Sequence, residues 1–234
     1  MKKIVSIIVP VYNEEDRIVN FLEDLLKFAK SNLKNYELIF VDDGSVDKTL
    51  EIIKGEVKNN KNVKIISYRP NIGKGFAVKK GVFATNGELI LFIDADGSIR
   101  VNQIRKMLEK LEHYDIVVGD RSCKESDVKQ PFLRKIIGIV FNMYVDMLFN
   151  SEIRDNLCGF KGFHKEVARE LFKDLIVERW LFDVELFYKI KKKNYSLYQL
   201  PIEWEHREGS KIKLIDPLKM IFQLIVLRIK LIGF

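Results

Sequence analysis

The sequence predicts an α/β domain, a mostly parallel sheet flanked by helices, on three observations. Short apolar, β-branched runs recur along its first half, segments with helical spacing separate them, and three of the runs end in acidic, glycine-containing or turn-forming motifs. Alternation of strand and helix is the pattern of a parallel sheet with right-handed crossovers. Strands covered on both faces read as nearly continuous apolar runs.

The first run is Ile4–Val9. Met-Lys-Lys leads directly into it, too short for a signal h-region and cleavage site, so a buried strand is expected and no export is implied. Ile18, Phe21, Leu22, Leu25, Leu26 and Ala29 then fall on one helical face. Further strands are expected at Tyr36–Val41, Val63–Tyr68, Glu88–Ile93 and Asp115–Val118, with helices over 50–57, 76–84 and 104–111 between them. The second half changes character. A long apolar and basic stretch runs from Pro131 to Asn150, followed by a glycine-containing segment at Leu157–Phe163 and a helix-like run at Phe182–Lys193. No repeat, low-complexity tract or Pro/Gly-rich linker marks a domain boundary.

Composition limits the function classes. With 234 residues, 47% apolar and 31% charged, the chain is a folded protein rather than a disordered or collagen-like one. Lys plus Arg exceed Asp plus Glu by 40 to 33, a formal +7 that favours phosphates, lipid headgroups or nucleic acid. The basic residues are interspersed with aliphatic ones instead of lining a reading module, which argues against nucleic acid. Cys123 and Cys158 have no zinc or disulfide spacing and read as packing residues in a reducing, cytoplasmic setting, and His113, His164 and His206 have no metal-ligand spacing. Residues 214–234 are rich in Leu, Ile and Phe but interrupted by Asp216, Lys219, Gln223, Arg228 and Lys230. A transmembrane helix needs about 20 uninterrupted apolar residues, so this tail reads as an amphipathic interfacial segment. The stretch 131–150 has apolar residues on nearly every face behind Arg134 and Lys135, and such a helix is either deeply buried or partly immersed in lipid.

Open parallel sheets bind ligands beyond the carboxyl ends of their strands, where strand order reverses. Here the first strand is followed by Pro10-Val11-Tyr12-Asn13-Glu14-Glu15, the second by Asp42-Asp43-Gly44-Ser45-Val46-Asp47 and the fourth by Asp94-Ala95-Asp96-Gly97. Each alone is an ordinary turn or cap. Three at one sheet edge gather carboxylates that repel one another unless a cation compensates them, and a hard divalent metal is the natural one. Asp94 and Asp96, two apart at a strand end, are the sharpest pair: both can face a Mg2+ or Mn2+ ion that bridges a diphosphate.

These residues resemble the inverting family 2 glycosyltransferases, enzymes with a Rossmann-like, A-type fold. The resemblance rests on the three strand-end motifs, on Asp47 and Thr49, and on Asn71-Ile72-Gly73-Lys74-Gly75. It implies a nucleotide-sugar site in which Pro10 lies in a donor-binding segment and Tyr12, Glu14 and Asp43 contact uracil and ribose. Asp42 and Lys74 would line the nucleotide side, and Asp94 and Asp96 would bind donor and metal; a bland alternative for Lys74 is an exposed helix-start lysine. Arg121-Ser122, the run 155–161, the run 178–185, and Trp204-Glu205 with Gly209-Ser210-Lys211 look like the dolichyl-phosphate β-glucosyltransferase subgroup, close relatives of the dolichyl-phosphate mannose synthases. Ser98 stands where the mannose synthases often carry a Gln, which removes a third side-chain ligand. The resemblance implies hexose transfer, glucose over mannose and UDP-glucose over GDP-mannose, to a polyprenyl phosphate at the cytoplasmic face of a membrane, through peripheral contact. A saccharide acceptor remains the alternative.

Asp183 aligns with the family's catalytic-base position, but a phosphate acceptor, with a second pKa near 6, scarcely needs a base, so Asp183 is expected to position groups, with proton abstraction as the alternative. Arg121 and Arg134 are the candidates for gripping the acceptor phosphate, with a surface arginine as the alternative for either. The expected division is a catalytic domain over 1–213, with a donor half 1–122 and an acceptor half 123–213, then the tail 214–234. Two other classes fit less well. A haloacid-dehalogenase-type phosphatase carries its acidic pair after the first strand, and a nucleotide-sugar-binding membrane scaffold would not need the acidic pair and Asp183.

Overall fold

The computed structural model describes residues 3–207 and 216–233, the side chains of residues 133, 134, 216–219 and 233 aside. Gly209, Ser210, Lys211 and Lys213 lie outside the described residues, as do the side chains of Arg134 and Lys219. The first half alternates as its apolar runs predict: β1 (Val5–Val11), α1 (Ile18–Asn32), β2 (Tyr36–Asp42), α2 (Thr49–Glu56), β3 (Val63–Ser67), α3 (Lys74–Ala84), β4 (Leu89–Ile93), α4 (Gln103–Lys110) and β5 (Ile116–Asp120). The second half adds β6 (Asp127–Lys129), α5 (Phe132–Phe149), β7 (Phe160–His164), α6 (Lys165–Lys173), α7 (Phe182–Lys193), β8 (Leu197–Pro201), β9 (Glu203–Glu205) and α8 (Asp216–Lys230).

Seven strands form one sheet in the order β3-β2-β1-β4-β7-β5-β8. All run parallel except β7, which lies antiparallel between β4 and β5. The chain winds outward from β1 to β2 and β3, then returns to place β4 on the other flank of β1. The order therefore reverses between β1 and β4, which opens the crevice there. β1 and β2 pair in register from Val5 opposite Tyr36 to Val11 opposite Asp42, so they end level and their following loops start side by side. Both strands run past their expected ends, because the parallel ladder continues to Val11 and Asp42. A second, two-stranded sheet pairs β6 with β9.

Both faces of the large sheet are covered. One carries α1, whose Ile18, Phe21, Leu22, Leu25 and Ala29 recur at helical spacing and pack with Ile7, Val9, Leu38, Leu91 and Ile104. The other carries α3, α6 and α7, with Phe92, Phe163, Phe172 and Phe182 in mutual ring contact. A third cluster lies apart from the sheet: Phe141, Val145 and Phe149 of α5 meet Met220, Leu224 and Leu227 of α8, with Leu181 and Val184 beneath. The stretch 131–150 is thus neither fully buried nor free, since it buries one face against α8.

At the amino-terminal edge, opposite the crevice, Glu37 ties three strands together. Its carboxylate accepts Ser6 Oγ at 2.7 Å, the amides of Asn86 at 2.5 Å and Gly87 at 3.2 Å, and Lys64 Nζ at 3.0 Å. Burial alone would raise its pKa, but these donors outweigh burial and hold it below the usual carboxylate range. A depressed carboxylate stabilises the fold above its unfolded pKa and loses that contribution as pH falls through the folded one. Glu37→Gln is therefore expected to cost ~1–3 kcal/mol in denaturant unfolding at pH 7. The difference from wild type should shrink as the pH is lowered below about 4; a pH-independent difference would contradict this account.

Candidate active site

The loops after β1 and β2 are braced to each other before any ligand is considered. Asn13 N donates to Ser45 Oγ at 3.0 Å, Val46 N to Asn13 Oδ1 at 2.9 Å, Glu14 N to Thr49 Oγ1 at 2.7 Å and Glu15 N to Asp47 Oδ2 at 3.2 Å. Buried backbone donors need partners, and here each loop supplies the other's. The result is a fixed rim carrying half-buried Pro10 and Tyr12.

The strand-end carboxylates were expected to need a compensating cation, and several of them have partners within the protein. Asp42 accepts Ser45 N at 3.0 Å and Ser67 Oγ at 2.9 Å. Asp43 accepts the amides of Ile72 at 2.9 Å and Gly73 at 3.2 Å and Asn71 Nδ2 at 2.6 Å, which ties the end of β2 to the loop before α3. Glu14 pairs with Arg17 through two contacts of 2.7 Å. These carboxylates are compensated by the protein itself, and three of the donors to Asp42 and Asp43 are backbone amides, which no sequence motif marks.

Asp94 is compensated differently. Lys74, the first residue of α3, places Nζ 2.7 Å from Asp94 Oδ1 and 2.9 Å from Oδ2, with the Trp180 ring centroid 5.7 Å away. Lys74 is thus not an exposed helix-start lysine. Burial pulls its pKa down, but Asp94, Asp183 and Asp96 outweigh burial and leave it raised. Gly73 sets the start of α3, with φ of 140° and an α-carbon so close to the chain that a Cβ would lie 2.5 Å from Glu178 O. Phe76 N donates to that carbonyl at 3.0 Å, so the loop before α7 is stapled to the lysine-bearing turn.

The fixed wall behind Asp94 is Gly159, the residue just before β7. Asp94 N donates to Gly159 O at 3.1 Å, and a Cβ on Gly159 would fall 1.8 Å from Asp94 Oδ2. Two residues on, Asp96 Oδ1 accepts Ser98 N at 2.9 Å. Among the described residues no group of three or more His, Cys, Asp or Glu side chains is arranged to hold a metal. Asp94 and Asp96 still fit one, as two hard oxygen donors of the kind Mg2+ and Mn2+ prefer, provided a ligand or water completes the coordination.

Asp183 lies in the first turn of α7, 2% exposed, with Oδ1 2.8 Å from Nζ of Lys161. Lys161 is wholly buried; it also donates to Cys158 O and sits 5.3 Å and 5.2 Å from the ring centroids of Phe92 and Phe187. Burial pushes the Asp183 carboxyl up, against the opposing pull of Lys161 and Lys74. Lys161 falls within the run 155–161, whose sequence gives no sign of this pairing. Nor does the sequence mark the role of Glu185, which accepts the amides of Ile176 and Val177 and fixes the loop ahead of α7.

Arg121 follows β5 and makes a two-pronged pair with Asp155, Nε to Oδ2 at 2.6 Å and Nη2 to Oδ1 at 2.7 Å, while its guanidinium stacks 5.3 Å over Trp204. Much of its donor capacity is therefore committed to the fold. Cys158 is buried and Cys123 half-buried, and burial pushes their thiols up to about 12 and about 11, which keeps both as thiols. The structure thus brings Lys74, Asp94, Asp96, Asp183 and Lys161 into one charged cluster at the β4 end, flanked by the braced rim.

Residues 6–172 match Glycosyl transferase family 2. The dolichyl-phosphate beta-glucosyltransferase of Dictyostelium discoideum is 37% identical over 234 residues, covering 94% of this chain and 71% of that protein. The human protein of the same name is 35% identical over 226 residues, covering 90% and 70%. A crystal structure of glucosyl-3-phosphoglycerate synthase from Mycobacterium tuberculosis, in complex with Mn2+, UDP and glucosyl-3-phosphoglycerate, superposes with a TM-score of 0.69 at 16% identity, over 97% of this chain and 80% of that one.

The Gly159 contact can be tested by coupling. Gly159→Ala is expected to cost ~1–3 kcal/mol of stability through overpacking. Adding Asp94→Ala should recover at least ~0.5–1 kcal/mol of that loss, since the overlap disappears with the carboxylate. Denaturant unfolding of both single variants and the double variant measures it, and additive costs would locate the clash elsewhere.

Proposed function

The chain belongs to glycosyl transferase family 2, and from that premise we propose that it transfers a hexose, glucose in preference to mannose, from UDP-glucose to a polyprenyl phosphate with inversion. The observation that carries the reading is the charged cluster at the end of β4, where two carboxylates suited to a divalent ion adjoin Lys74 and Asp183. The names of the relatives at 37% and 35% identity favour glucose and dolichyl phosphate. A neighbour of the same fold binds Mn2+ and UDP together.

In this reading Asp94 and Asp96 hold Mg2+ or Mn2+. When bound, that ion neutralises the charge that grows on the leaving diphosphate. The braced rim with Pro10, Tyr12 and Glu14 takes the nucleoside, and Asp42 and Asp43 hold that rim's shape through the bonds they accept. Asp183 positions the acceptor side while paired to Lys161. Arg121 faces the acceptor phosphate only with the donors that Asp155 leaves, and Arg134, on α5, is the second candidate.

The two-helix unit supports a lipid acceptor. α5 exposes Ile139, Val140, Met143 and Met147, and α8 exposes Phe222, Ile225 and Ile229, on the faces they do not bury against each other. Lys135, Arg228 and Lys230 lie on the same helices. Among the described residues no helix is long and apolar enough to cross a membrane. An apolar face flanked by basic residues suits peripheral docking on an anionic leaflet, so in this reading α8 and α5 form the membrane-facing part and the catalytic domain lies on its cytoplasmic side.

Purified protein with Mn2+, polyprenyl phosphate and labelled UDP-glucose is expected to move label into an organic phase, and GDP-mannose in its place should give much less. Asp96→Ala should lose roughly 10²-fold or more of this activity. Asp183→Asn should retain a measurable part of it, and equal, near-complete loss in both variants would rule out the positioning role.

Met143 and Met147 are 67% and 71% exposed, so substituting them leaves the core intact. Met143→Asp with Met147→Asp is expected to release the protein from anionic vesicles. Transfer to long-chain polyprenyl phosphate in bilayers should fall at least ~10-fold, while transfer to a short, water-soluble analogue persists. Unchanged vesicle binding would remove α5 from the docking surface.

A further inference from the structure

Lys74 occupies the place at Asp94 that a metal ion would take. Its ammonium contacts both oxygens, at 2.7 Å and 2.9 Å, and is only 13% exposed. Gly159 closes the side of Asp94 away from Lys74, lying so near the carboxylate that a Cβ there would stand 1.8 Å from Oδ2. Lys74 is confined as well: it begins α3 on a turn anchored by the Phe76 N to Glu178 O bond, and Trp180 lies over its ammonium at 5.7 Å. A divalent ion arriving alone must displace an ammonium that is 13% exposed and then sit beside it, a repulsion between like charges.

We propose that Lys74 is a built-in counterion that makes divalent-metal binding conditional on a nucleoside diphosphate. Without the diphosphate, Lys74 neutralises Asp94 and opposes the metal. When the diphosphate enters, its negative charge gives the displaced ammonium a new partner and supplies oxygen ligands to the metal, so metal and donor bind together. Coupling of this kind is reciprocal: the factor by which the diphosphate tightens the metal is the factor by which the metal tightens the diphosphate. The inference rests on the reading of Asp94 and Asp96 as metal ligands, and it holds for any nucleoside diphosphate and any acceptor.

Mn2+ affinity, measured by the paramagnetic signal of the free ion, tests it without turnover. The probes are Mn2+ alone and Mn2+ with UDP, on wild type, Lys74→Met and Lys74→Arg. Wild type is expected to bind Mn2+ weakly alone and at least about 10-fold more tightly with UDP. Lys74→Met should bind Mn2+ alone about 10-fold more tightly than wild type and show a smaller gain from UDP. Lys74→Arg, which keeps a cation, should resemble wild type. Unchanged or weaker binding of Mn2+ alone by folded Lys74→Met overturns the inference, as does wild type binding Mn2+ equally well with and without UDP, whatever the variants do. No Mn2+ bound in any arm overturns the metal reading together with the inference, whereas binding with UDP but no effect of Lys74→Met overturns the inference alone.

Discussion

The carboxylate of Asp94 is pressed between the backbone at Gly159 and the ammonium of Lys74, and much of the site follows from holding one charge in that position. A carboxylate about two-thirds buried needs a cation or several donors. The cation comes from the start of α3, which requires the turn at Gly73, which in turn requires the loop before α7 to pass close behind it. A side chain at residue 159 would force the carboxylate to shift, because its Cβ would occupy the space of Asp94 Oδ2. Three segments far apart in the chain are thereby fixed by one contact.

Lys161 extends the same logic to the second charged position. An ammonium with no exposure is costly unless it is paired and hydrogen-bonded, and Asp183 with the Cys158 carbonyl meets both needs. The rings of Phe92 and Phe187 exclude water and add their own attraction for the cation. β7 thus contributes at two points of the cluster, Gly159 just before it and Lys161 within it. Inserted antiparallel beside β4, it is the one strand that breaks the parallel pattern.

This division explains what was legible in the sequence. β1 to β5 and the helices between them are local features: each strand is a short apolar run, each helix has its own spacing, and the strand-end motifs mark the ligand edge directly. The antiparallel insertion of β7 is not local. Phe160–His164 is apolar and contains a glycine, but nothing within it states that it will pair with β4 and β5 rather than continue the parallel order. Lys161 stayed hidden for the same reason, since a lysine in an apolar run reads as an edge until its partner at residue 183 is known. The partners of Asp42 and Asp43 were illegible because most of them are backbone amides, which leave no mark in sequence, so the two residues read as donor-binding groups with no sign that they also fasten loops.

The Lys161–Asp183 pair also bears on the acceptor. A hydroxyl acceptor requires a base, and for Asp183 to take its proton the residual carboxylic acid must remain beside a buried ammonium that has lost its counterion. A phosphate acceptor arrives largely ionised at neutral pH, with its second pKa near 6, and asks for no proton transfer. Asp183 can then keep its charge and its partner throughout the reaction. Burial raises the Asp183 pKa, which alone would suit a base, but Lys161 at 2.8 Å penalises the protonated state that a base must pass through. The arrangement is therefore more compatible with an acceptor that brings its own negative charge, and the apolar faces of α5 and α8 suit an acceptor whose remainder is lipid.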